Sequence, residues 1–312
     1  MSHRRAWAPA LVSVAVLALT GCGNAVPVAV VASPTVSATA AATPSMTPTP
    51  AVTPVPRATA STTSIPPEYE MTDGVLRNKL YIAGKVPTVR CVLARADLST
   101  PARMVAHAKS LIACMDKAWA PMVEKADAVL TPPEVFAYSD KRASSAPPEC
   151  ADPPKGAAAY YHWSGFSGKI CFDVDSVLDS SDSTRNTVDF QQMIAHEYGH
   201  HVQRSVGILA LYPQLLRGKS EAGQLEVFRR KELQASCFGA AFLGANKATF
   251  QLSGRRLDAW RYVVRHVGDE YSKDNVRDHG SRKSHAYWTL RAFESASPQS
   301  CATFTAPAKR VS

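Results

Sequence analysis

Apolar and polar positions follow different periods in different stretches of the chain, and those periods divide it. A mostly apolar run from Trp7 to Leu19 follows Arg4 and Arg5. It is shorter than the ~20 apolar residues that a spanning helix needs, so it reads as the core of a secretory signal. Residues 23 to 67 show no period at all, being almost wholly Ala, Thr, Pro, Ser and Val with Arg57 as the single charge. Such a stretch buries too little apolar surface to offset its ordering entropy, which predicts a disordered or extended tether over residues 22–67. Helical spacing begins at Met104, Ala108, Leu111 and Met115, behind Thr100 as cap and Pro101 at the first helical position, and predicts a helix to about Asp127. A short strand is expected at Val135 to Tyr138, then a proline-rich loop from Pro147 to Lys155. The segments Ala157 to Trp163 and Lys169 to Asp175 flank Ser164-Gly165-Phe166-Ser167-Gly168 and predict a hairpin. Helical periods then return over Thr187 to Val206, Ser220 to Ala245, Gly254 to Tyr271 and Lys283 to Ser295. A helix, a small antiparallel sheet and a run of helices make the expected class α+β, with a folded domain over residues 68–305 and a flexible tail over 306–312.

Cysteine usage changes the picture of the N-terminus. Leu19-Thr20-Gly21-Cys22 closes the apolar run and resembles a bacterial lipobox, so residues 1–21 are expected to be removed and Cys22 lipidated. The acyl chains would hold the protein on the outer face of the cell membrane without any spanning helix. Six further cysteines remain, Cys91, Cys114, Cys150, Cys171, Cys237 and Cys301, an even number suited to an oxidising compartment. None has the CxxC spacing of a structural zinc site, and six cysteines allow 15 connectivities. The pairing of neighbours, Cys91–Cys114, Cys150–Cys171 and Cys237–Cys301, is the one expected. The formal net charge of +9 is compatible with contact with anionic envelope polymers or lipid but reads chiefly as a solvated surface. No basic helix interleaved with aromatics and no nucleic-acid module accompanies it, so nucleic acid is discounted as a partner.

The candidate chemistry lies in Gln191-Gln192-Met193-Ile194-Ala195-His196-Glu197-Tyr198-Gly199-His200-His201-Val202-Gln203. Two histidines four residues apart share one helix face and can reach one metal ion. Glu197 stands about 100° round from His196, beside that ion, where it can accept a proton from water. Zinc, one ion per chain, is the cofactor this pattern implies. A third protein ligand is needed. The His-bearing extension of the metzincins fails, because Gln203 and Val206 occupy its places. By residue type Glu221, Glu226 and Glu232 qualify; Glu232 precedes Leu233-Gln234-Ala235-Ser236-Cys237, neighbours that could bury it, whereas Glu221 and Glu226 read as solvated. Tyr198 reads as packing, Gly199 as a point of close backbone approach, and His201 as lying off the metal face.

The blocks HEYGHHVQ, ELQASCFGAAF and DHGSRKSHAYW, within a stretch from about Cys91 to Phe304, resemble the bacterial family described as putative neutral zinc metallopeptidases. The resemblance implies His196, His200 and Glu232 as ligands, Glu197 as catalytic base, and a zincin-like fold in which the strand Lys169 to Asp175 borders the substrate cleft. The chain departs from the family pattern at three places. Ser236 stands where an Asp usually supports a ligand histidine, Ser284 and His285 replace a Gln-Arg pair, and Thr289 replaces a Phe. His279 or His285 then reads either as the donor to a tetrahedral intermediate or, with its neighbour, as a surface histidine near a loop. The function expected is an exported, lipid-anchored zinc peptidase acting on peptide or protein substrates. The alternative is a zinc-binding lipoprotein of weak or absent activity that acts by binding at the cell envelope. The altered Ser236, Ser284 and His285 motivate that alternative, and the retained Glu197 speaks against it.

Overall fold

The computed structural model describes residues 67–312 except 142–145, 152, 155, 166, 179 and 272–275. The signal, Cys22 and all but the last residue of the tether therefore lie outside the described residues. Helix α1 (Pro67–Leu76) is followed by α2 (Pro101–Glu124), where Thr100 caps the first turn through the Arg103 N–H and Pro101 occupies its expected place. Strands β1 (Glu134–Tyr138), β2 (Ala159–Ser164) and β3 (Ser167–Asp173) come next. The remaining helices are α3 (Val174–Val177), α4 (Ser183–Ser205), α5 (Ile208–Leu211), α6 (Glu221–Ala245), α7 (Gly254–Val264) and α8 (Arg282–Ser295). Helices with one small sheet give the α+β class. Among the described residues no helix is long and apolar enough to cross a membrane.

The sheet is mixed rather than antiparallel. Its order is β1-β3-β2, with β2 antiparallel to β3 and β1 parallel to it, Glu134 opposite Lys169 and Tyr138 opposite Asp173. The hairpin is also tighter than expected. Ser164 pairs with Ser167, and Gly165 takes φ 58°, the left-handed conformation that a two-residue turn requires. Parallel pairing of β1 needs a long crossover and leaves no local trace in sequence.

Helix α4 is unusual for a polar segment in being buried nearly all round, including Gln191, Gln192, His196, Glu197, His200, His201 and Gln203. Its polar side chains therefore need partners inside the protein. Asp182 caps its start by accepting from Thr184 and Arg185. It packs against α2, β2, α6 and α7, and α6 packs in turn against α8. The α4–α6 crossing is close and reciprocal. A Cβ on Gly199 would sit 2.2 Å from the Ala235 carbonyl oxygen, and one on Gly239 would sit 2.6 Å from that of Ala195. Small residues four apart on both helices thus let the two backbones touch.

The three disulfides are Cys91–Cys114, Cys150–Cys171 and Cys237–Cys301. The second ties the loop before the hairpin to β3, beside Tyr138, Ala157 and Tyr160. Two other expectations are corrected. The helix from Gly254 stops at Val264 instead of reaching Tyr271: the Arg265 N–H closes its last turn on the Tyr262 carbonyl, and Gly268 takes φ 155°, which a helix does not accommodate. The tail over 306–312 is docked, not free: Val311 is fully buried. The Arg229 Nε–H donates to its carbonyl (2.7 Å) and the Trp288 Nε1–H to that of Arg310 (2.8 Å).

Candidate metal centre

His196 and His200 stand one helical turn apart on α4, and Glu232 comes from the facing turn of α6 across the Gly199–Ala235 crossing. Glu232 Oε2 lies 3.3 Å from His196 Nε2 and 3.0 Å from His200 Nε2. All three side chains are buried, and one ligand atom from each lies within 4.8 Å of the others. Of the three glutamates open by residue type, the structure brings Glu232 to the histidines; Glu226 instead pairs with Arg230 at 2.7 Å, and Glu221 is exposed.

Neighbouring groups fix which nitrogens face inwards. Gln203 Nε2–H donates to the Lys231 carbonyl and to Gln234 Oε1, both at 2.9 Å, so its Oε1 is the acceptor 2.8 Å from His200 Nδ1. His200 must carry its proton on Nδ1, which leaves the Nε2 lone pair facing a carboxylate oxygen. His196 Nδ1 is likewise engaged, 2.7 Å from Ser236 Oγ. Two imidazole lone pairs and a carboxylate converging in a buried space need a cation among them, and a His₂Glu donor set suits zinc. The residues present fit the metal.

The electrostatics separate the two carboxyl groups. Burial opposes ionisation of Glu232, but Lys231, whose Nζ lies 2.7 Å from Glu232 Oε1, together with the two histidines holds it well below the usual carboxylate range. Burial, then the charge of Glu232, pushes Glu197 well above that range, against the Tyr161 backbone N–H that bonds to it. One carboxyl is thus suited to bind a cation and the other to carry a proton. Glu197 Oε1 is buried without a hydrogen-bond partner. Burial also pushes the His196 imidazole down to about 3, which keeps it neutral.

His279 completes the inner wall. Its Nδ1 lies 2.7 Å from Asp278 Oδ1, and its Nε2, buried and without a partner, lies 4.0 Å from Glu232 Oε2. Asp269 holds this loop by accepting from the His279 and Gly280 backbone N–H groups at 2.9 and 2.7 Å. His285, the other expected donor, is not available to a substrate: its Nε2 lies 3.0 Å from Ser236 Oγ and its Nδ1 3.2 Å from the Val264 carbonyl oxygen. Ser284 turns away to the C-terminal segment, donating to the Ser312 carbonyl at 2.8 Å, and the Thr289 hydroxyl donates to the His285 carbonyl at 2.6 Å. A small, partly open cavity beside His196 and Glu232, bounded by Val267, Gly268, His279 and His285, has a volume of about 10 Å³, room for about one water molecule.

The strand beside the site differs from the one that the resemblance implied. β3 is the central strand with a neighbour on each side, and β2 at the edge carries Tyr161 to Glu197. Tyr161 OH also lies 3.1 Å from His201 Nδ1, which puts His201 off the metal face as expected. Sequence reasoning missed Lys231, Gln203 and Asp269. Gln203 had a readable signal, three residues beyond His200 on the same face; a lysine and an aspartate ordinarily read as surface.

Tyr198, on the far side of α4, donates to Asp116 Oδ1 at 2.5 Å. Burial pushes the Asp116 carboxyl up to about 6 from 3.8, against that hydrogen bond. The folded state therefore holds this proton more tightly than the unfolded state. Its stabilising contribution is complete below about pH 4 and is lost as pH rises through 6. Asp116→Asn should flatten the pH dependence of the urea midpoint between pH 4 and 6.5. An unchanged slope there would rule out this assignment.

Residues 90–304 match the family described as "Putative neutral zinc metallopeptidase". The chain is 29% identical over 147 residues to the uncharacterized protein YpfJ of Escherichia coli (strain K12), covering 44% of this chain and 51% of that one. It is 26% identical over 134 residues to the uncharacterized protein Rv2575 of Mycobacterium tuberculosis (strain H37Rv), covering 37% and 44%. The chain thus spans about half the length of the curated relatives it matches. No solved structure matches it. The match takes in the histidine pair of α4, the glutamate of α6 and the His279 loop together, and on that extent the chain belongs to the putative neutral zinc metallopeptidase family.

Proposed function

We propose that the protein is an exported zinc peptidase, and the observation that carries this is the pairing of a metal-binding triad with an unpartnered, buried Glu197 Oε1. Held by His196, His200 and Glu232, one zinc ion per chain would supply Lewis acidity, acidifying water and polarising a carbonyl. Glu197 takes a proton on Oε1 from the attacking water and returns it to the leaving amine. His279, oriented by Asp278, offers Nε2–H to the oxyanion that develops on the substrate. Lys231 keeps Glu232 ionised. The LTGC sequence, the tether behind it and three disulfides support export, with lipidated Cys22 holding the enzyme at the outer face of the cell membrane and peptides or proteins as substrates.

A second reading, a zinc protein that binds without cleaving, is favoured by the engagement of His285 with Ser236 and the Val264 carbonyl, which withholds it from a substrate. Zinc content and a diverse peptide library decide between them. The purified protein is expected to hold about one zinc per chain and to cleave library members, with activity lost to chelator and restored by zinc. Metal-free wild type would end the zinc reading. A zinc-loaded protein that leaves the library intact would establish the binding role.

A further inference from the structure

A line of hydrogen bonds leads from His196 away from the triad. His196 Nδ1 lies 2.7 Å from Ser236 Oγ, that hydroxyl lies 3.0 Å from His285 Nε2, and His285 Nδ1 lies 3.2 Å from the Val264 carbonyl oxygen. All three side chains are buried. The carbonyl can only accept, so His285 carries a proton on Nδ1. Burial pushes its imidazole down to about 4, so the ring is neutral and Nε2 presents only a lone pair. Ser236 therefore donates to His285, and the remaining lone pairs of its hydroxyl face His196 Nδ1. His196 in turn must carry its proton on Nδ1, which frees Nε2 for the triad.

The direction of this chain matters because a serine hydroxyl is ambivalent. Left alone with His196 it could rotate and donate to Nδ1, which would place the histidine's proton on Nε2, where it blocks a metal. An aspartate at the same place would accept in either case. Serine is held as an acceptor toward His196 only while its O–H donates to another group.

We propose that His285 is a positioning residue for the metal: by accepting the hydrogen bond of the Ser236 hydroxyl it fixes the tautomer and ring orientation of His196. This rests on the reading of His196, His200 and Glu232 as a zinc site. The test is zinc affinity by chelator competition, with the fold of each variant followed by circular dichroism. His285→Phe should weaken zinc binding by about 10- to 100-fold, as the loss of such a supporting group typically does. Ser236→Ala should do the same, and combining the two should cost little more than either alone. Ser236→Asp should restore affinity in the His285→Phe background to within about threefold of wild type, a rescue that a merely structural role for His285 does not predict. Nitrogen-15 spectra of zinc-loaded wild type, which need no variant to fold, should show His285 protonated on Nδ1. Unchanged affinity in His285→Phe, failure of the aspartate rescue in a folded protein, or an Nε2–H tautomer at His285 would overturn the proposal while leaving the zinc site standing. Wild type that binds no zinc would overturn the site itself.

Discussion

Replacing Glu197 with Gln should lower peptide cleavage about 10²- to 10⁴-fold while zinc stays bound in full. The variant keeps the volume of a side chain that is only 1% exposed, so the packing around it has no cause to change. Its amide oxygen can still accept from the Tyr161 backbone N–H that meets Glu197. What it loses is the capacity to take up and release a proton, which is the whole task assigned to Oε1. Glu197 lies outside the ligand triad, so the metal should be indifferent to the change. Glu232→Gln makes the contrast, since it removes a ligand charge and should release zinc and activity together. Turnover number and zinc stoichiometry, measured on the same preparation, separate the two. Wild-type turnover in the Gln variant would remove Glu197 from the mechanism.

The second large effect is expected at Gly199, which has no side chain to offer the metal. Its missing Cβ lets the Ala235 carbonyl approach to within 2.2 Å of where a methyl would be. The obstructing atom is backbone, in a buried helix that cannot bend away locally, so Gly199→Ala must push α4 and α6 apart by more than 1 Å to reach ordinary contact. Overpacking of this kind typically costs about 1–3 kcal/mol, and a backbone obstacle puts Gly199 at the upper end. For a domain of this size, ~3 kcal/mol lowers the melting temperature by roughly 6–12 °C. Zinc affinity should fall as well, because the same displacement draws Glu232 away from His196 and His200. Gly223→Ala on α6 is the control: its methyl would meet side-chain atoms only, Lys219 Cβ at 3.2 Å and Ser220 Oγ at 3.6 Å, at the exposed start of the helix, and stability should stay within about 1 kcal/mol of wild type. A Gly199→Ala protein as stable and as zinc-avid as wild type would contradict the close crossing.

Much of the metal centre could be read from the sequence because its signals are local. His196 and His200 sit four residues apart in a helix, and Gly199 between them marks the contact with α6. The cap at Thr100 lies three residues before the amide it satisfies. Features that arise only when distant segments meet escaped. The parallel pairing of β1 with β3, the docking of Val311, and the contact of His285 with Ser236, 49 residues away, have no periodic signature. Lys231 escaped for a different reason. A buried lysine is rare, and its burial here is explained by the carboxylate beside it, whose own burial was itself only an expectation. Ser236 depends on its surroundings in the same way: in sequence it reads as a lost aspartate behind His196, and the fold sets His285 Nε2 3.0 Å from its hydroxyl.

The glycine–alanine crossing of α4 and α6 has a consequence for how such a site can be altered. Because main chain rests on main chain at Gly199–Ala235 and Gly239–Ala195, the spacing of His196, His200 and Glu232 is set by the helices and not by the side chains around them. Substitutions behind the ligands are then released from holding the geometry and answer only for proton placement. A change at Ser236 or His285 is then expected to alter where the His196 proton sits and to leave the spacing of the three ligands as it is.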